Sequence, residues 1–356
     1  MTSELSSLCS YAKGKVSVDT LSKRNYVSTE NMMPNKGGIV DAGALPSAQY
    51  TQQYIKDDIL VSNIRPYFKK IWMADDDGGC SNDVLVFRAD RGCDSTFLYY
   101  ILANDAFFNY ASATSKGTKM PRGDKTAIMQ YKVPCFNYET QLRIGKLLRS
   151  IDDRIAVNKK INDNLQQQAQ AIYSSMFIDN SESAWTHGHL SDLVTVKYGK
   201  DHKKLSEGIY PVYGSGGIMR YVERPLYDKE SVLIPRKGTL NNVMYVNQPF
   251  WSVDTMFYTE MKLPNVAKFV YHFVKAKDLA SMNAGSAVPS MTTDILNAME
   301  VVIPSASALE EFEALVAPMY EAMEANDVQS QALSKVRDTL LPKLMSGEID
   351  VSSVLL

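Results

Sequence analysis

LRIGKLLRSIDDRIAVNKKINDNLQQQAQAIYSSMF, residues 142–177, decides how the rest of the chain is read. Taken by sevens, Ile144, Ile151, Asn158, Leu165 and Ile172 fall on one stripe of a helix. Phe312, Met319, Asn326, Leu333 and Leu340 repeat that stripe, since 312 − 144, 326 − 158 and 340 − 172 all give 168. Both stripes are apolar at the first, second, fourth and fifth steps and carry Asn at the third. An apolar seven-residue repeat marks a coiled-coil seam. A seam Asn costs stability but fixes register and direction, because only one alignment lets two amides meet. Two unrelated amphipathic helices would share the apolar period, but that period alone does not put Asn at the same step of each.

The first helix is expected from about Glu139 to Ile178, which at 1.5 Å per residue spans roughly 55–60 Å. That is long for a domain interior and suits a spacer. The second is expected from about Ala308 to Ser346. Pro318 and Pro342 fall inside it and should kink it or remove a hydrogen bond near its ends. Gly347 is the expected stop.

Working outward, residues 1–140 read as a mixed α+β domain. Its strand candidates are Ile59-Leu60-Val61, Val84-Leu85-Val86-Phe87 and Tyr131-Lys132-Val133 before Pro134. Thr96 to Tyr110 reads as an aromatic-rich helix, Asp75-Asp76-Asp77-Gly78-Gly79 as a solvated turn, and residues 116–123 as a basic Gly/Pro loop. Residues 181–305 repeat the plan. Ser231 to Gly238 stands where Asp58 to Arg65 stood, and Trp251-Ser252-Val253-Asp254 mirrors Cys80-Ser81-Asn82-Asp83. Gly285 and Pro289 match Gly117 and Pro121 at the helix offset of 168, and Val133-Pro134 and Ile303-Pro304 close both copies. The expected segments are a domain at 1–140, a helix at 141–180, a domain at 181–305, a helix at 306–346 and a tail at 347–356.

Composition is ordinary for a globular protein, 45% hydrophobic and 22% charged, so disorder is not the default. No apolar run reaches the ~18 residues of a membrane span, and the start resembles no signal peptide. Cys9, Cys80, Cys93 and Cys135 form no Cys-x-x-Cys pair, which fits a reducing cytoplasm. The histidines show no metal spacing. Net charge is −2, unpromising for a nucleic-acid partner until its distribution is read. Residues 1–140 and 181–305 are each net +1, residues 141–180 net +2 and residues 306–356 net −6. The acidity resides in one helix, opposite a basic one, as paired helices prefer.

In this order these features resemble the specificity subunit of type I restriction–modification enzymes. The resemblance covers essentially the whole chain and rests on three stretches. They are GIYPVYGSGGIMRYVERPLYDKESVLIPRKGTLNNVMYVNQPFWSVDTMFY (208–258), IDDRIAVNKKINDNLQQQAQAIYSSMF (151–177) and LSKVRDTLLPKLMSGEIDV (333–351). It implies an α+β fold, with two tandem target-recognition domains separated by two long helices that pair as an antiparallel coiled coil. Each domain would read one half of a split site in double-stranded DNA. Two adenine methyltransferase subunits and the restriction subunits would be partners, bringing S-adenosylmethionine, ATP and magnesium. No catalysis, cofactor, metal or membrane contact is expected of this chain. A 55 Å rod suits half-sites between one and two turns of DNA apart, at ~34 Å per turn. Because the two domains differ, the site should be asymmetric.

Base readout needs side chains that donate and accept in the groove, and phosphate contacts need cations or free amides. The candidates are Lys69, Lys70, Lys116, Lys119 and Arg122 in the first domain. In the second they are Lys200, Lys203, Lys204, Arg236 and Lys237, with Tyr213 and Arg220 placed by the Gly214-Ser215-Gly216-Gly217 turn. The plainer account of each lysine is a solvated charged face. That turn lacks nucleotide-loop spacing, and Trp251 and Asp254 read as core and turn residues. A nuclease reading would rest on Asp254, Glu260 and Lys262 holding a metal, but the first domain has no equivalent set. No Asp/Asn-Pro-Pro-Tyr/Phe methyltransferase motif occurs. A coiled-coil adaptor without DNA binding is the competing class, favoured by the near-neutral domains.

Overall fold

The computed structural model describes residues 2–182, 184–282 and 290–351; Gly285 and Pro289 lie outside the described residues. It divides into two compact units, Met1–Asn158 with Asp327–Leu356, and Lys159–Asn326. Each unit takes one domain and one half of each long helix.

The first unit opens with β1 (Thr2–Glu4), β2 (Cys9–Tyr11), β3 (Lys15–Ser17), β4 (Tyr26–Val27) and β5 (Tyr50–Tyr54). It continues with β6 (Ile59–Ser62), β7 (Ile71–Met73), β8 (Gly78–Cys80), β9 (Val84–Ala89) and β10 (Lys132–Pro134). Three helices follow β9: α1 (Ser95–Ala103), α2 (Asp105–Ala113) and α3 (Lys125–Met129). Helix α4 (Tyr138–Ser174) carries the chain into the second unit.

Two four-stranded sheets, β2-β9-β6-β7 and β3-β5-β8-β4, make the body of the first domain. The apolar runs in β6 and β9 are continuous because that sheet is covered on both faces. Ile59, Val61, Leu85 and Phe87 face one core with α1 and α2; Leu60, Val84 and Val86 face a second with Tyr54 and Cys80. The aromatic helix expected over 96–110 is two helices. Asn104 takes an extended conformation between them, and its side chain caps α2 by accepting from the Ala106 amide. Asp75–Asp77 are exposed, but Gly78 and Gly79 belong to buried β8 rather than to the turn. A Cβ on Gly78 would collide with the Asn25 carbonyl and the Tyr54 ring, so only glycine lets β8 pass there.

The second unit contains β11 (Thr186–His189), α5 (Leu190–Leu193), β12 (Val194–Tyr198), β13 (Tyr210–Gly214) and β14 (Gly217–Val222). Then come β15 (Ser231–Pro235), β16 (Met244–Val246), β17 (Trp251–Ser252) and β18 (Met256–Met261). It closes with α6 (Ala267–Lys275), α7 (Thr293–Asn297), β19 (Glu300–Ile303) and the start of α8 (Ala306–Ser346). The sheet β12-β18-β15-β16 repeats β2-β9-β6-β7 strand for strand. Val61 pairs with Leu85 and Ile234 with Phe257, the same register in both. Alternation is repeated too: Val232, Ile234 and Phe257 face one core, Leu233, Met256 and Tyr258 the other.

Within each unit the halves of α4 and α8 run antiparallel. In the first, Asp152 bonds Arg337 and Asn158 bonds Gln329 and Ser330. In the second, Asn162 receives Asn326 and Tyr173 packs on Phe312. The seam residues Ile144, Ile151, Asn158 and Phe312 are buried, and Leu165, Ile172, Met319, Asn326, Leu333 and Leu340 half-buried. Helix α8 is unbroken through Pro318 and Pro342; both lie on its exposed side, where the carbonyls left without a donor can turn to water. It stops at Gly347 (φ +76), whose amide donates to the Leu344 carbonyl while that of Glu348 reaches back to Lys343. Ile349 and Val351 then pack with Leu5 on the first core.

The domains attach to the helices through equivalent positions. Tyr100 on α1 donates to Asp152 on α4 at 2.6 Å, and Asp152 accepts from Arg337 on α8 at 2.6 Å. In the second unit His272 on α6 bonds Tyr320 on α8 at 2.9 Å and Gln170 on α4 at 2.8 Å. A step of 168 carries Asp152 to Tyr320, and a step of 172 carries Tyr99-Tyr100 to Tyr271-His272. The socket is the same; its chemistry is charged in one unit and neutral in the other.

Candidate nucleic-acid interface

The connection after β6 is braced on three sides. The Asn63 amide donates to Asp83, the Gly123 amide to Asn63, and the Arg65 amide to Pro121. Residues 66–68 form one tight helical turn flanked by Arg65 (φ 50°) and Lys69 (φ 53°), both left-handed. Their neighbours Asn35 (φ 55°) and Lys36 (φ 62°) are left-handed too, and donate their amides to the Phe68 and Lys69 carbonyls. Four non-glycine residues in that conformation at one place cost of order 1–2 kcal/mol each. Tyr67 and Phe68 stand on top, 53% and 39% exposed, with ring centroids 4.8 Å apart.

Most of the expected first-domain residues converge here. Lys69 and Lys36 share the Asp105 carboxylate at 2.9 Å each, and their hydrogen bonds hold its pKa below the ordinary carboxylate value. The Lys70 ammonium donates to the Thr29 carbonyl and lies over the Phe68 ring. The Lys116 amide and carbonyl both bond Arg122, closing the basic loop. The Lys116 side chain meets Asp124, and that of Arg122 meets Asp83 at 2.9 Å. Lys119 is exposed. With Arg65 added, cations outnumber the carboxylates Asp83, Asp105 and Asp124.

Beside this face a cleft of about 350 Å3 is lined by Tyr11, Lys15, Tyr50, Gln52, Asn82 and Lys125, among others. Asp83 joins the two, since Asn82 lines the cleft and Asp83 holds Asn63 and Arg122. Arg65, Tyr67, Phe68 and the cleft side chains were not singled out from the sequence. The signal available was NIRPYFKK (63–70), where two aromatics follow a proline between cations.

In the second domain Arg236 is held by its amide to Thr255 and by its guanidinium to the Asp254 carbonyl at 3.3 Å, 5.4 Å from the Tyr198 ring centre. Lys237 is exposed and its backbone bridges to Ser290. Lys200, Lys203 and Lys204 are exposed on one loop, where the Lys200 carbonyl accepts from the Trp251 indole. The structure does not bring Tyr213 and Arg220 to this group as free side chains. Tyr213 is buried, with its hydroxyl accepting from Gln248, and Arg220 donates to the Leu205 carbonyl.

No set of three His, Cys, Asp or Glu among the described residues could hold a metal ion. The nuclease residues are apart in role: Asp254 is in an exposed turn, Glu260 meets Lys197, and Lys262 donates to the Ser191 carbonyl. No described helix is long and apolar enough to cross a membrane.

A family model described as "Type I restriction modification DNA specificity domain" matches residues 1–167 and again 182–311. The chain belongs to that family. It is 24% identical over 307 residues to the type I restriction enzyme MjaIX specificity subunit of Methanocaldococcus jannaschii, covering 74% of this chain and 71% of the relative. It is 21% identical to the HindI specificity subunit of Haemophilus influenzae, covering 91% and 94%. The fold is that of a type I S subunit from Mycoplasma genitalium, with a TM-score of 0.61, 20% identity, and 97% and 96% of the chains covered. As a type I specificity subunit the chain is the DNA-recognising, non-catalytic member of its system. The doubled match coincides with the doubled sheet.

Proposed function

We propose that each domain of this specificity subunit reads one half of an asymmetric, bipartite site in double-stranded DNA. Two adenine methyltransferase subunits dock on the paired helices, and restriction subunits join them. S-adenosylmethionine, ATP and magnesium belong to those partners, and the setting is the cytoplasm. The observation that carries the reading is one scaffold used twice with different surfaces: β6 and β15 end in connections of equal length, Asn63–Lys70 and Arg236–Val243, whose first residues are braced alike but whose sequences differ.

The test is to co-express the chain with its methyltransferase and map modified adenines across a genome. One split, asymmetric motif that vanishes without this chain is the expected result. Replacing residues 181–305 with a relative's should change one half of that motif. Methylation indifferent to the chain, or binding by the complex that ignores salt, would favour an adaptor instead, because phosphate contacts weaken as salt rises.

A further inference from the structure

The connections at 63–70 and 236–243 have equal length and share two backbone braces, yet their exposed chemistry differs. The braces are Asn63 to Asp83 and Gly123 to Asn63 in the first, and Arg236 to Thr255 and Met291 to Arg236 in the second. Arg65 stands where the second domain has Gly238, and both are left-handed, at φ +50° and +86°. Glycine takes that conformation without cost; arginine does not. At the place of Tyr67 the second domain has Leu240, 3% exposed, and at the place of Phe68 it has Asn241, which bonds Asp278. The first domain therefore lifts an aromatic pair into solvent where the second buries its residue.

We propose that these connections are the base-reading elements of the two domains and that they read by different means. Tyr67, backed by Phe68, wedges against one base step of the first half-site, with Arg65 on the adjoining phosphate or base edge. Arg236 and Lys237 instead offer hydrogen-bond donors to the second half-site, with no wedge. This rests on the DNA-reading role proposed above.

Three observations argue for it. The backbone of the turn is pinned through the Phe68 and Lys69 carbonyls and through the Lys69–Asp105 pair, and Tyr67 stands on it 53% exposed. The Arg65 guanidinium and the Tyr67 hydroxyl have no hydrogen-bond or ion-pair partner among the described residues, which leaves a cation beside an unshielded ring. A flat aromatic among cations fits stacked bases flanked by phosphates, and wedging side chains are a known way to kink a duplex. Strain kept at a residue whose counterpart is glycine is expected where the side chain earns its place by contact.

The experiment uses the whole complex of this chain with its methyltransferase, on its mapped site carrying 2-aminopurine at successive steps. The wild type should brighten at one step of one half-site only. Tyr67→Ala should abolish that signal and weaken recognition of that half about tenfold, leaving the other half unchanged. Arg65→Gly should weaken the same half while folding at least as stably. Lys237→Ala should affect only the opposite half. Tyr67→Ala that reads both halves like the wild type would overturn the proposal. So would loss of methyltransferase binding with DNA recognition intact, which would make the turn a protein-docking element. A wild-type complex whose methylation ignores this chain would remove the underlying DNA-reading role, and with it this proposal.

Discussion

Asn326 donates its side-chain amide to the side-chain oxygen of Asn162 at 2.8 Å. A step of 168 residues turns that pair into Asn158 and Ser330, which are bonded at 3.2 Å. The contact exists twice, once in each unit, and it puts an amide on a stripe whose other heptad positions are apolar.

Asn158→Leu should therefore raise the stability of helix pairing by about 1 kcal/mol, since an apolar side chain replaces a buried amide. Register should suffer in exchange. Cysteine cross-linking between α4 and α8 should give one set of products in the wild type and several in the variant. A single unchanged pattern would mean that the amide does not set the alignment.

Lys268, 5% exposed on α6, binds Glu230 at 3.1 Å and Glu313 on α8 at 2.6 Å. Lys268→Met leaves two carboxylates facing each other without their cation. Because both are partly exposed, the expected loss is about 2 kcal/mol, below the 3–5 typical of a fully buried pair. Adding Glu313→Gln should restore part of it, and urea unfolding of the double-mutant cycle measures the coupling.

Burial lowers the His272 pKa from 6.5 to about 4. Its partners keep the neutral ring: Gln170 accepts from Nδ1, and the Tyr320 hydroxyl donates to Nε2. The unfolded chain takes up a proton near pH 6.5 that the folded chain refuses until about pH 4. Stability should thus fall as pH drops through that window, by an amount on the order of 3 kcal/mol at its acid end. Hydrogen exchange in α6, α8 and β15 should quicken accordingly, and His272→Phe should flatten this part of the pH dependence. An unchanged profile in that variant would point to carboxylates elsewhere.

Arg65→Gly should raise the melting temperature, corresponding to about 1 kcal/mol, by relieving a left-handed arginine. A loss of stability instead would mean that the Arg65 side chain makes packing contacts that outweigh its backbone strain.

The long helices and the central strands were legible because their signals are local and repeated: a period of seven in α4 and α8, and unbroken apolar runs in β6, β9 and β15. The sheet β3-β5-β8-β4 was not, since strands such as Tyr50–Tyr54 (YTQQY) have neither apolar runs nor clean alternation. Nothing in Gly78-Gly79 says strand until the Tyr54 ring is beside it. The candidate interface was half legible for a similar reason. Lysines on Gly/Pro loops announce themselves by composition, whereas the left-handed Arg65 and Lys69 flank a turn held by residues distant in sequence, Arg65 at the Pro121 carbonyl and Phe68 and Lys69 by the amides of residues 35 and 36. Tyr213 shows the converse, a plausible surface aromatic drawn inward by the hairpin of β13 and β14.

Val351 lies 2% exposed in the same core as Leu5, and the second half of α8 completes the unit that contains the first residues. Synthesis therefore meets the two units in an unequal order. Lys159–Asn326 is one uninterrupted stretch and can close on itself as soon as it leaves the ribosome. The unit begun before it must wait through all of that intervening chain, roughly 10–30 s at common elongation rates, with Ile144 and Leu148 uncovered on the side that α8 will later fill. The half of the molecule made first is the half finished last.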